Sequence, residues 1–274
     1  MKKFTKKDFL IFGGCIILAV VAIYFNEQIK AENAIYFPRP LSDDDLKKYS
    51  NTDLNAVVIY DIFTQRAYDK QGFYDYYNGT CKTCNVVSIT NLKLEPNYTS
   101  SVGALTYLSQ LHYSFITDIQ VDQNPDILKQ YDKVILLHNE YMTKAEFDAI
   151  KNHKNVIYLY PNAMYAEVKV DYGTSTMSLA RGHGYPEKSI DNGFDYVTSS
   201  KNEYDLNCKN FKWQQMPNGI QLTCWPEFLI KSDRSVLQTI KDFPGKLPIN
   251  LIESNTNLVN VTSLPRCDYY GNCK

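Results

Sequence analysis

Short apolar runs alternate with amphipathic stretches along most of the chain. Ala56 to Tyr60, Val86 to Thr90, Lys133 to Leu137 and Val156 to Tyr160 have strand length and are rich in β-branched or aromatic residues. Phe115 to Val121 is a further strand, with imperfect alternation. Between them, Ser100 opens a helix with Leu105, Leu108 and Leu111 on one face, and Asn124-Pro125-Asp126 starts a short helix to Gln130. Pro125 takes an early helical position, where its missing N–H costs little. The polar, Tyr-rich interval from Asp61 to Asn78 predicts a hairpin or a long loop. Repeated strand and helix alternation is the pattern of an α/β fold with a parallel sheet and right-handed crossovers.

The segment Tyr131 to Val168 is the most sharply patterned. Strand Lys133 to Leu137, helix Thr143 to Asn152 and strand Val156 to Tyr160 make a βαβ unit. Thr143-Lys-Ala-Glu146 fits a capping box, and Met142 can staple onto Phe147. Polar residues gather where each strand ends: His138, Asn139, Glu140 and Tyr141 after the first, Asn162 and Tyr165 after the second. Ligands of open α/β sheets bind beyond the carboxyl ends of the strands. The candidate site therefore lies there.

Beyond Val168 the pattern changes. Val168 to Tyr172 alternates like a strand, Gly173 to Thr176 is a turn, and Arg181-Gly-His-Gly-Tyr-Pro186 is not helical. Asn218-Gly219 is a strong hairpin signal. Residues from about 168 to 230 read as a β-rich, disulfide-bonded insertion over the sheet edge. Ser235 to Asp242 is a short helix and Pro248 to Ile252 a last strand.

The N-terminus adds a membrane. Lys2, Lys3, Lys6 and Lys7 precede an uncharged run of 17 residues, Phe9 to Phe25, long enough for about 25 Å of helix. Basic residues before the run place residues 1–8 in the cytoplasm and the remainder outside. Asn26-Glu27-Gln28 makes a poor cleavage site, so an uncleaved, single-pass anchor is favoured over a cleaved signal peptide. Residues 26–53 then form a stalk stiffened by Pro38 and Pro40, with Ser42 capping one short helix, and 54–274 form the extracytoplasmic domain. Residues 9–274 together hold 25 basic and 29 acidic residues, the four lysines and Asp8 being set aside. Charge of both signs is interspersed, which argues against a nucleic-acid surface.

Cysteine use agrees with an oxidising compartment. Apart from Cys15, six cysteines form three sequence-local pairs: Cys81 with Cys84, Cys208 with Cys224, and Cys267 with Cys273. A redox pair or half a zinc site are the alternatives at Cys81-Lys-Thr-Cys84. Asn78, Asn97 and Asn260 head glycosylation triplets.

His138-Asn-Glu140-Tyr141 after a strand, a helix, a strand and then Asn162-Ala-Met-Tyr165 resembles the C-terminal domain of the N,N-dimethylformamidase large (beta) subunit family. The match covers about Val86 to Val168. The resemblance implies a flavodoxin-like fold of the class I glutamine amidotransferase kind. It also implies amide hydrolysis at a mononuclear iron held by two tyrosines and a glutamate. It makes Tyr141 and Tyr165 the tyrosine ligands; Glu227 is the first choice for the glutamate, with Glu187 and Glu253 as others. A ferric ion suits such anionic oxygen ligands and acts as a Lewis acid on a carbonyl. His138 and Glu140 would then be the general acid and base, with Asn139, Asn162 and His183 lining the substrate pocket. Glutaminase chemistry is excluded, because Pro161-Asn162-Ala163 stands where a cysteine nucleophile is needed.

Two functions follow. One is a catalytically silent domain used for binding or for organising the cell envelope, contacting a protein partner there. The other is an iron-dependent amidohydrolase acting on small amides. Met142 stands where the family has a tryptophan, and Tyr160-Pro161 replaces its Gly-rich turn. These changes favour the silent domain.

Overall fold

The computed structural model describes residues 41–52, 55–90, 101–196, 208, 211–227, 229–245 and 252–253. The anchor at 9–25, most of the stalk, Asn97, Asn260, Cys267 and Cys273 lie outside them. Among the described residues no helix is long and apolar enough to cross a membrane.

Chain order is α1 (Asp43–Tyr49), β1 (Ala56–Tyr60), α2 (Ile62–Tyr68), α3 (Phe73–Tyr77), β2 (Val86–Ser88), α4 (Val102–Gln110), β3 (Ser114–Thr117) and α5 (Asp118–Gln123). A 3₁₀ helix (Pro125–Gln130), β4 (Lys133–Leu136), β5 (Tyr141–Met142), α6 (Lys144–Asn152), β6 (Val156–Tyr158), β7 (Ala166–Asp171) and β8 (Thr176–Arg181) follow. The last elements are β9 (Trp213–Met216), β10 (Gly219–Leu222), α7 (Leu229–Ser232), α8 (Arg234–Asp242) and β11 (Ile252–Glu253).

Seven strands form the main sheet in the order β11-β9-β10-β6-β4-β1-β3. Neighbours from β10 to β3 pair in parallel, whereas β9 runs antiparallel to β10. The five parallel strands, numbered by occurrence, stand 2-1-3-4-5, so the order reverses between β1 and β4.

Both faces of this sheet are apolar, as a buried parallel sheet requires. Val58, Ile135 and Ile157 join a cluster with Leu108, Leu237 and Ile240 of α4 and α8. Their neighbours Val57, Ile59, Val134, Leu136 and Val156 join Val121, Leu128, Phe147 and Ile150 on the other face. Lys133 enters this sheet buried because its ammonium donates to the carbonyl oxygens of Ile240 (2.6 Å), Lys241 (3.1 Å) and Phe243 (2.9 Å), at the end of α8. Its positive charge suits the negative end of a helix.

A second, mixed sheet has the order β2-β8-β7-β5. It packs on α2 and α3 through Phe63, Ala67, Phe73, Tyr141, Val168 and Met177. After β4 the chain leaves the main sheet, passes through His138, Asn139 and Glu140, and enters the second sheet as β5.

Several expectations are corrected. Asp61 to Asn78 forms helices α2 and α3, whose Ile62, Phe63, Ala67 and Phe73 are buried. The strand from Phe115 ends at Thr117, where a reciprocal capping box with Gln120 starts α5. Val86 to Ser88 belongs to the second sheet. The hairpin around Asn218-Gly219 is present, but β10 is the fifth parallel strand of the main sheet and not part of an edge insertion. Gly219 allows this: a Cβ there would lie 1.8 Å from the Val156 carbonyl oxygen of β6. At α6, Thr143 caps the Glu146 N–H, yet the buried Glu146 carboxyl makes no bond back, so the box is half formed. Ser42 does cap α1 in a full capping box. Cys81–Cys84 and Cys208–Cys224 form disulfides.

Candidate functional site

The carboxyl edges of the parallel strands carry Asp61 after β1, Asp118 after β3, His138 to Glu140 after β4, and Tyr160 to Asn162 after β6. Asp61, Asp118, His138, Asn139, Glu140 and Tyr160 are fully buried. Buried polar groups of this density need partners, and several polar side chains converge on Glu140.

Five polar side chains from four segments surround the Glu140 carboxylate. Tyr68 O–H (2.6 Å), Asn162 Nδ2 (3.0 Å) and His138 Nε2 (3.0 Å) reach Oε2. His183 Nε2 (2.6 Å) and Tyr74 O–H (3.1 Å) reach Oε1. Burial alone would raise the Glu140 pKa; hydrogen bonds from His138 and His183, and their charge, reverse this and hold the carboxyl below its ordinary range. Burial pushes the Tyr68 phenol well up, and the Glu140 charge and hydrogen bond add to it. Tyr74 is raised by burial and by Glu140. Both are therefore neutral donors to an ionised acid.

His183 makes the bridge to the second sheet. It sits at φ 52° between Gly182 and Gly184, both also at positive φ. Tyr165 (ring centroids 4.6 Å), Tyr77 (5.5 Å), Tyr141 (5.6 Å) and Tyr74 (6.2 Å) surround its ring. Tyr141 is fully buried, with its hydroxyl 3.5 Å from that of Tyr77. Burial, then Tyr74, Tyr77 and the Glu140 carboxylate, raises its pKa well above the usual phenol range.

The two segments singled out in the sequence pack on each other. Met164 N–H donates to the Asn139 carbonyl, and Tyr165 and Ala166 N–H donate to that of Glu140. Asn162 Nδ2 also lies 2.8 Å from His138 Nε2. His138 packs against Tyr160 and Trp225. In these two segments the buried donor Asn139 Nδ2 and acceptor Asn162 Oδ1 find no hydrogen-bond partner among the described residues.

Glu227 is placed differently. One of its oxygens accepts from the Tyr160 hydroxyl and the other from Gly103 N–H (2.9 Å) in the first turn of α4. A carboxylate at a helix N-terminus is electrostatically favourable. The carboxylate met by tyrosine hydroxyls in the hub is Glu140, bonded to Tyr68 and Tyr74. Neither tyrosine was singled out in the sequence, because they lie 72 and 66 residues from Glu140. The only signal was the density of tyrosines between Asp61 and Asn78. Among the described residues no group of three His, Cys, Asp or Glu is arranged to hold a metal ion.

A scan against protein-family models gave no match, and none of the curated proteins matches the chain significantly.

Proposed function

We propose that this protein is a membrane-anchored extracytoplasmic domain, catalytically silent, that binds a partner or organises the cell envelope. In this reading the α/β unit is flavodoxin-like, of the class I glutamine amidotransferase kind, and follows a membrane-spanning helix at 9–25. The strand order 2-1-3-4-5 and the covered sheet faces support the fold. The two disulfides suit an oxidising compartment.

The observation that carries the functional reading is the commitment of Glu140. Five polar side chains already crowd its two oxygens, and the two histidines hold its charge. A carboxylate so engaged is a poor proton acceptor and has no lone pair pointed at a substrate. For iron held by Tyr141, Tyr165 and Glu227 the fit is equally poor. Glu227, the carboxylate this ligand set needs, is already bonded to Tyr160 and Gly103. The hub instead braces the junction of the two sheets. Around it lies a partly buried aromatic rim of Tyr76, Tyr77, His183 and Tyr185, residue types enriched in recognition surfaces.

The amidohydrolase of the dimethylformamidase type stays as the second reading, favoured by one observation: His138-Asn-Glu-Tyr141 and Asn162 to Tyr165 meet, with both tyrosine rings against His183. Iron content and visible absorption of the full-length protein after reconstitution, with hydrolysis of small amides, distinguish the two. The silent domain takes up no stoichiometric iron and hydrolyses no amide. An iron-dependent turnover would overturn it.

A further inference from the structure

Helix α3 ends in a turn that the Glu140 hub does not use. Asn78 closes the helix, its N–H donating to the Tyr74 carbonyl (3.1 Å), and Gly79 N–H donates to that of Tyr76 (3.1 Å). Gly79 takes φ 80°, which glycine adopts without strain, and a Cβ on it would meet nothing within 4 Å. Cys81 N–H returns to the Asp75 carbonyl (2.9 Å), and the Cys81–Cys84 disulfide follows at once. The turn is held by these bonds, and Asn78, Gly79 and Thr80 are all exposed on it.

Asn78-Gly79-Thr80 is one of the chain's three glycan-acceptor triplets and the one that falls within the described residues. Transfer of a sugar to asparagine needs an Nδ2 that is reachable and not already engaged. Thr80 N–H donates to Asn78 Oδ1 (2.9 Å), which draws electron density to that oxygen and leaves the Nδ2 hydrogens more acidic. The Thr80 hydroxyl donates back to the Asp75 carbonyl (3.1 Å) and lies 3.3 Å from Asp75 Oδ1. Other asparagines spend their Nδ2 on the fold: those of Asn55, Asn155, Asn192 and Asn218 donate to the carbonyls of Gln130, Asp132, Tyr196 and Ile150. Asn78 Nδ2 makes no hydrogen bond to a described residue.

We infer that Asn78 is an N-glycosylation site. The inference rests on the extracytoplasmic placement proposed above, since such triplets are modified in secreted and surface chains. The donor class is an oligosaccharide joined to a lipid carrier through phosphate. Asn78 Nδ2 attacks the anomeric carbon, and the C–N bond forms as the C–O bond to phosphate breaks. The lipid phosphate leaves with that electron pair, and Nδ2 gives up one proton. A glycan is bulky and solvated. The turn carries it without losing a contact, because none of the bonds that hold the turn involves the modified nitrogen. Asn78 directly follows Tyr76 and Tyr77, so the glycan stands beside the aromatic rim.

The test is peptide mass spectrometry of the full-length protein isolated from the membranes of the cells that make it naturally. More than half of the tryptic peptide 71–82 should carry sugar on Asn78. Asn78→Gln and Thr80→Ala should abolish the mass increment, whereas Thr80→Ser, which keeps the triplet, should retain it. A membrane-impermeant amine reagent applied to intact cells reports the side of the membrane through the exposed Lys70 and Lys82. Lysines labelled from outside together with an unmodified Asn78 overturn the site and leave the extracytoplasmic reading standing. Sugar confined to Asn97 or Asn260 does the same. Lysines labelled only after lysis overturn both.

Discussion

Glu140→Gln is the sharpest perturbation of the hub, because it keeps the shape and removes the charge. Glu140 is fully buried and accepts from two histidines, two tyrosines and an asparagine. A glutamine presents an NH₂ group on one side, so either the pair His183 and Tyr74 or the trio Tyr68, Asn162 and His138 faces a donor. Hydrogen bonds to a charged group contribute about 1.5–3 kcal/mol each. Their sum is opposed by desolvation, and breaking a buried ionic cluster by removing one member costs about 3–5 kcal/mol. With a urea dependence of about 3 kcal/mol per molar, the unfolding midpoint at pH 7 should fall by about 1–1.5 M. The pH dependence has a fixed sign. The Glu140 pKa is lower folded than its ordinary value of 4.5, so its stabilisation is complete above that value and fades as pH falls through the acid range. The gap between wild type and Glu140→Gln should be constant above about pH 5.5 and narrow below about pH 4.5. Equal stability of the two proteins at pH 7, or a gap that widens in acid, would refute the hub as a brace.

Other substitutions test other joints. Lys133→Met removes the ammonium that donates to the Ile240, Lys241 and Phe243 carbonyls and should cost about 1–3 kcal/mol at pH 7; an unchanged urea midpoint contradicts this. Burial lowers the Lys133 pKa from 10.5 to about 8. The unfolded chain therefore holds that proton more tightly, and wild-type stability should gain from this group as pH rises between those values, a gain absent in the variant. Gly103→Ala should destabilise, although alanine normally favours a helix by about 1 kcal/mol. Its Cβ would lie 2.9 Å from Glu227 Oε2 and 3.3 Å from Ile230 Cγ2, displacing the carboxylate from α4. A raised Tm for this variant would show that Glu227 yields freely.

The main sheet was legible because its strands are buried on both faces and stand out as apolar runs, as at Ala56 to Tyr60 and Val156 to Tyr160. The hairpin at Asn218-Gly219 and the cap at Ser42 were equally plain, since each depends on neighbouring residues alone. Asp61 to Asn78 was not. Its tyrosines blur the contrast between apolar and polar faces, and only packing against the second sheet fixes α2 and α3 as helices. The same long-range packing hid the hub's composition. His138, Glu140, Asn162 and His183 were singled out from their place at strand ends or between glycines. Tyr68 and Tyr74 join them only through the tertiary fold. Thr143-Lys-Ala-Glu146 has the letters of a capping box, but Glu146 lies in an acidic, buried setting that no local pattern announces.

The central claim is that the hub around Glu140 is a brace beneath a binding surface and not a reaction centre. Its most direct test is iron content together with visible absorption of the reconstituted full-length protein, alongside Tyr141→Phe and Tyr165→Phe. A folded, colourless protein with no stoichiometric iron and no difference among the three forms is expected. Stoichiometric iron with a phenolate charge-transfer band, lost in both variants, would contradict it.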